Sequence, residues 1–203
     1  MKTLIIRLAA ITLSLHALPA LAQRESFETT VTRKADVIIL EMEKPAASSG
    51  GKSGTMLRDG LSHDGQRLSV NASPKAVTFD NIFFKLDSTE LRDDASRLQV
   101  AEIAAALKSP NLKDAQFLIE GHTCDLGEND YNLKLSAQRA EAIRNLLIKQ
   151  GIAKERLASL GFGESEIVDP VKKGDSLAAA ETRRMKSRRV ALRRIMPEPT
   201  AKK

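Results

Sequence analysis

Apolar and polar positions are unevenly distributed along this chain. MKTLIIRLAAITLSLHALPALA, residues 1–22, carries Lys2 and Arg7, then an apolar core from Leu8 to Leu21, and closes on Ala20-Leu21-Ala22. A basic start, a short apolar run and a small-residue end form a secretory signal peptide, and the run falls short of the roughly 20 apolar residues of a membrane span. The exported chain is expected to begin near Gln23, and no cysteine stands at that point to carry a lipid anchor. From Arg24 to Lys75 apolar residues are sparse except in ADVIILEME (35–43), which has the length of one strand. KPAASSGGKSG (44–54) has a flexible linker's composition. Residues 23–75 are therefore expected to be largely extended or disordered, with little packed structure before Pro74. The alternative is a small β unit of 35–43 and GQRLSVNA (65–72), which would need another sheet to pack on.

From Ala76 onward regular periods emerge. AVTFDNIFF (76–84) is β-branched and aromatic, a strand buried on both faces. In 87–110, Leu91, Val100, Ile103, Ala104 and Leu107 recur at helical spacing until Pro110 stops the pattern. AQFLIEG (115–121) predicts a second strand with Phe117 and Ile119 on one face, and 131–151 a long amphipathic helix closed by Gly151. ERLASLGFGESE (155–166) reads as an irregular connection, RRVALRRI (188–195) as a strand, and 196–203 as a loose tail. The order β-α-β-α-β over 76–195 implies an α+β domain, a mixed sheet with helices on one face, preceded by a flexible N-terminal extension.

Composition removes several function classes. Lys plus Arg exceed Asp plus Glu by 32 to 26, and loss of the leader trims that balance by two. Cys124 is the sole cysteine, so an internal disulfide is impossible and a four-ligand Cys/His zinc site is out of reach. No metal or cofactor is expected, and no phosphate-binding loop or Ser-His-Asp arrangement is evident. Nucleic acid is a poor partner for an exported chain with one Tyr and no Trp for base stacking. A Cys124–His122 enzyme lacks an orienting third group. No enzymatic role is expected.

The best candidate for a site is the loop 121–130, which joins a strand to a helix and contains Gly121, Gly127, Asn129 and Asp130. Leu135, Arg139, Ala142 and Leu146 follow at i, i+4, i+7 and i+11, which puts Arg139 on or near a buried stripe. Such an arginine serves either a structural ion pair or a ligand carboxylate held bidentately.

Gly121-His122-Thr123, Gly127, Tyr131-Asn132, Leu135-Ser136 and Arg139-Ala140 together resemble the motif of the OmpA-like peptidoglycan-binding domain family. FDNIFFKLDSTEL (79–91), RLASLGFGESEIV (156–168) and RRMKSRRVALRRI (183–195) resemble its flanking regions, so the similarity covers about 76–195. The resemblance implies non-covalent capture of the diaminopimelate residue of the peptidoglycan stem peptide, linking an envelope component to the cell wall from the periplasm or the outer membrane. The alternative is a structural or interaction protein of the envelope whose pocket has degenerated and whose residues 23–75 recruit an envelope protein.

Diaminopimelate ends in a zwitterion, so its pocket needs an anion and a cation a few ångströms apart. The family supplies an Asp in the strand-to-helix loop and an Arg on the following helix. Arg139 matches the Arg, but Cys124 stands at the Asp position, with Asp125 one residue later. A neutral thiol cannot pair with an ammonium, and Asp125 is expected to replace the missing carboxylate. Carried over by resemblance, the binding set is Asp125, Arg139, Cys124, Asp87, Ser88, Thr123 and Asn132, with Asp87 and Ser88 alternatively capping the first helix. Ser187 replaces a family Asn before Arg-Arg-Val, and Arg184 aligns with a family arginine near the pocket. The basic run 183–194 is a further attractor of anionic polymers or a solvated face. Oligomeric state is not legible in the sequence.

Overall fold

The computed structural model of the protein describes residues 32–43 and 55–196. The predicted leader (1–22), the linker (44–54) and the tail beyond Met196 lie outside the described residues.

Within them the chain runs α1 (Ala35–Glu43), β1 (Met56–Leu61), β2 (Arg67–Phe79), α2 (Asp94–Leu107), β3 (Phe117–Gly121), α3 (Asn129–Lys149), β4 (Leu157–Gly161), α4 (Leu177–Ser187) and β5 (Val190–Ile195). The strands form one mixed sheet in the order β1-β2-β5-β3-β4. β3 and β4 are parallel, the other neighbours antiparallel, and a single pairing of Leu61 with Gly161 closes the ring. β2 is long because its halves do different work: Arg67–Ala72 pairs along β1 and Ala76–Phe79 along β5, with a register shift between them. Pro74, which has no amide hydrogen to offer a ladder, falls inside that shift.

Alternation along the strands divides the interior. Val77, Phe79, Phe117, Ile119, Val190 and Leu192 join a large core with Val100, Ile103 and Leu107 of α2, Ala140, Ile143 and Leu147 of α3, and Ile38 of α1. Residues of the opposite parity, Leu118 and Leu160, form a smaller cluster with Ala72 and Phe162.

Several sequence expectations need correction. ADVIILEME is not a strand but α1, whose Ile38 is fully buried in the main core. The Arg33 amide donates to Gln99 Oε1 (2.7 Å) and the Ala35 amide to Glu102 Oε2 (2.9 Å), which satisfies donors at the start of α1. β1 and the first half of β2 also precede Ala76, so packed structure begins well before Pro74. The strand expected over 76–84 stops at Phe79, and the connection expected over 155–166 contains β4. α2 starts only at Asp94, and its cap is Asp93, which accepts from the Ser96 amide (2.8 Å); neither Asp87 nor Ser88 caps it. The second strand, the long helix and the last strand match β3, α3 and β5, and Gly151 follows α3 at φ 89°, where glycine ends a helix.

Candidate functional site: a basic cleft at the end of β3

Two glycines decide where α3 lies. A Cβ on Gly121 would sit 2.1 Å from the Ser136 carbonyl oxygen, and one on Gly161 would sit 2.3 Å from the Ala137 nitrogen. Only glycine lets the parallel strand ends press directly on the helix backbone. The loop between them is pinned from several sides. The Thr123 amide donates to Gly163 O (2.9 Å), and Asn132 Nδ2 lies 3.3 Å from Cys124 O, 3.0 Å from Leu126 O and 2.7 Å from Glu164 Oε2. Asn132 is therefore committed to holding the loop, and it is almost fully buried.

Next to this loop opens a cleft of about 490 Å³. Its walls come from the segment after β2 (Ile82 to Leu86), the end of β3, Arg139 of α3, and one side of α4 with the residues that follow it. Phe84, Leu86, Met185 and Val190 give it apolar flanks. Among the described residues its charged lining consists of Lys85, Arg92, Arg139, Arg188 and Arg189 against one carboxylate, Glu181.

Arg139 reaches from α3 into the cleft wall. Its Nε donates to Ser88 O (3.1 Å), its Nη2 approaches Lys85 O (3.5 Å), and the guanidinium lies 5.0 Å from the Phe84 ring centroid. No carboxylate forms an ion pair with it among the described residues. Burial pushes its pKa below the usual arginine value, Arg188 adds to that, and Tyr131, Asp87 and Cys124 oppose it. A partly desolvated cation without a counter-charge, facing an open cleft, is a site for an anion.

The other predicted residues do not all converge on it. Cys124 is buried, and Arg188 Nη1 lies 3.5 Å from its sulfur, while Arg188 Nη2 donates to Glu181. Asp125 does not meet Arg139: its Oδ1 accepts from Arg184 Nε at 2.7 Å, on an exposed edge. Asp125, expected to stand opposite Arg139 as the anion for the ligand's ammonium, is instead engaged by Arg184. Asp87 accepts from the Tyr131 hydroxyl (2.9 Å) and has φ 46°. Ser88 contributes its carbonyl to Arg139 and its hydroxyl to the Glu90 amide (3.0 Å). Thr123 Oγ1 is buried with no hydrogen-bond partner among the described residues. Ser187, in place of the family Asn, accepts from the Val168 amide (3.3 Å).

Sequence reasoning missed Glu181, Met185 and Arg188 as cleft residues. Their i, i+4, i+7 spacing was the available signal, hidden because the basic run was read as one surface feature and not as the side of a helix.

A second charged group fills the other side of β3. Glu120 is fully buried and accepts from Arg58 Nε (2.7 Å) and Arg193 Nε (2.9 and 3.0 Å), while Arg58 Nη1 reaches Glu166 at 2.5 Å. Burial alone would raise the Glu120 carboxyl; His122, 3.7 Å away, and the Arg193 and Arg58 charges outweigh it and hold the pKa low. His122 stacks on Phe162 with centroids 5.5 Å apart, and burial pushes its pKa below 6.5. Neither ring nitrogen has a hydrogen-bond partner among the described residues.

The OmpA family model matches residues 83–184, which takes in the cleft loop, Arg139 and the first part of α4. The chain belongs to the OmpA family. It is 31% identical over 144 residues to the peptidoglycan-associated lipoprotein of Pseudomonas aeruginosa, covering 70% of this chain and 74% of that relative. It is 37% identical over 89 residues to the corresponding lipoprotein of Mesorhizobium japonicum, covering 44% of this chain and 51% of that relative. The family member thus spans about half the length of several curated relatives it matches. Among solved structures it is similar to the peptidoglycan-associated lipoprotein from Burkholderia pseudomallei, at 27% identity and a TM-score of 0.44, covering 56% of this chain and 87% of that one.

Proposed function

We propose that this OmpA-family chain is a non-catalytic peptidoglycan-binding protein of the periplasm that links an envelope component to the cell wall, gripping the diaminopimelate residue of the stem peptide in the cleft beside Arg139. The observation that carries the reading is Arg139 itself, a cation without an ion-pair partner among the described residues, set in an apolar-flanked cleft. Relatives named as peptidoglycan-associated lipoproteins support the wall as the ligand. Arg139→Ala is expected to reduce co-sedimentation with isolated sacculi by at least about tenfold, the worth of one charge-assisted contact to a carboxylate. Unchanged co-sedimentation would overturn the reading.

A second reading, an envelope interaction protein with a degenerate pocket, is favoured by one observation: Asp125, the acid that follows Cys124 in the sequence, is engaged by Arg184. On that reading the wild-type protein fails to sediment with sacculi while remaining folded, and an envelope protein joins it through residues 23–75.

A further inference from the structure

Arg139 offers the cleft a cation for a carboxylate, and what the cleft offers the nitrogen beside that carboxylate is set by a second guanidinium. Arg188, directly after α4, lines the same cleft. Its two terminal nitrogens are used unequally. Nη2 donates to Glu181, the one carboxylate of the lining among the described residues, and the two form an ion pair. Nη1 meets the Cys124 sulfur at 3.5 Å and has no other partner among the described residues. A thiol is a weak acceptor, so this charged donor has more to gain from an oxygen.

The acids around this end of the molecule are engaged elsewhere. Asp125 is bound to Arg184, Glu166 to Arg58, and Asp87 accepts from the Tyr131 hydroxyl; none of the three belongs to the cleft lining. An ammonium carries three donors and no acceptor, so it can take nothing from Arg188 and finds in the lining a carboxylate that a guanidinium already holds. Acylation of the same nitrogen reverses the match. The charge disappears, and a carbonyl oxygen arrives that can accept from Nη1. In diaminopimelate the nitrogen of the zwitterionic end is the one that becomes an amide when a second stem peptide is joined to it, while the carboxylate on the same carbon stays free.

Resting on the function proposed above, we infer that the cleft selects a carboxylate whose neighbouring nitrogen is acylated, as in cross-linked stem peptides, with Arg139 on the carboxylate and Arg188 Nη1 on the amide oxygen. Cys124 makes this possible from outside the lining: where the resembling family carries an Asp, it places no charge for a free ammonium and leaves the Arg188 donor open.

The test compares two soluble probes on the full chain by calorimetry: diaminopimelate, and its N,N′-diacetyl derivative, which keeps both carboxylates and turns both ammonium groups into amides. The wild-type protein is expected to prefer the diacetyl probe by about tenfold, the worth of one hydrogen bond from a charged donor. Arg188→Gln removes that donor and releases Glu181 for an ammonium, and is expected to abolish or reverse the preference. Cys124→Asp is expected to bring the probes within about twofold of each other or to reverse their order, because a carboxylate there takes the Nη1 donor and offers a charge to the ammonium. A preference retained by both variants overturns the assignment. Equal or weaker binding of the diacetyl probe by a wild-type protein that still sediments with sacculi overturns it as well, and leaves wall binding standing; so does sedimentation with sacculi without binding of either probe. Failure to bind either probe or sacculi overturns both. Circular dichroism and thermal melting of each variant separate lost recognition from lost folding.

Discussion

At the scale of single residues, Cys124 changes meaning between sequence and structure. The chain's lone cysteine invites a reactive role, yet Cys124 is only 5% exposed, with Arg188 beside its sulfur. A thiol reagent can reach it only when the loop opens, so labelling in the folded protein is expected to be at least about tenfold slower than in urea. Rapid labelling of the native state would contradict this placement. Cys124→Ser is expected to leave sacculus binding within about twofold, because the sulfur is buried and its one polar contact is to Arg188, which a serine hydroxyl can also meet. Arg139 was legible from helical spacing together with the family motif. Its partners were not, since Ser88 and Lys85 offer backbone carbonyls, a contact that no side-chain identity advertises. Asp125 misled because adjacency in sequence to a lost acid says nothing about which cation reaches it first, and Arg184 of α4 does.

At the scale of elements, the long periodic segments were legible because many positions repeat the same signal. α3 has 21 residues, and its apolar stripe survives any single exception. α1 has nine, with a β-branched run in the middle, and shows little more than two turns of helical period. It is helical because tertiary contacts override propensity: Ile38 enters the core, and Gln99 and Glu102 of α2 meet the amides at its start. β4 was missed because LASLG offers small residues at the places where its partners press closest, Gly161 above all. Ile38→Ala is expected to cost about 2–5 kcal/mol in urea unfolding, the range for truncating a fully buried aliphatic side chain. A loss below about 0.5 kcal/mol would mean that α1 is not docked in solution. A fragment beginning at residue 76 would remove α1, β1 and most of β2, and is expected not to fold, which circular dichroism would read directly.

At the scale of the whole molecule, buried charge couples stability to pH. Glu120, Arg58, Arg193, Glu166 and His122 come from β1, β3, β5 and two connections, so no local pattern announced their meeting. The signs agree. His122 titrates below its usual 6.5 when folded, so its contribution is complete above about pH 6.5 and is lost as pH falls through the folded value. Glu120 is likewise held below its usual 4.5, and its contribution is lost at more acid pH, as pH falls through its own folded value. The urea midpoint is therefore expected to fall continuously from about pH 7 towards pH 4 and below. Glu120→Gln is expected to lower stability near neutrality by about 3 kcal/mol, because Arg193 and part of Arg58 lose their counter-charge, and to flatten the acid limb of the curve. A profile rising towards acid pH would contradict the arrangement.

The docking of α1 also has a mechanical consequence. Tension applied to the chain from its N-terminal side enters at α1, which is clamped to α2 through Arg33, Lys34, Ala35 and Ile38. Arg33 also donates to Thr78 O of β2 (3.0 Å), so a load entering at α1 is shared between α2 and the middle of β2. A pull on this side of the chain is therefore expected to meet the helix, α2 and β2 together, ahead of β3 and α3, which border the cleft.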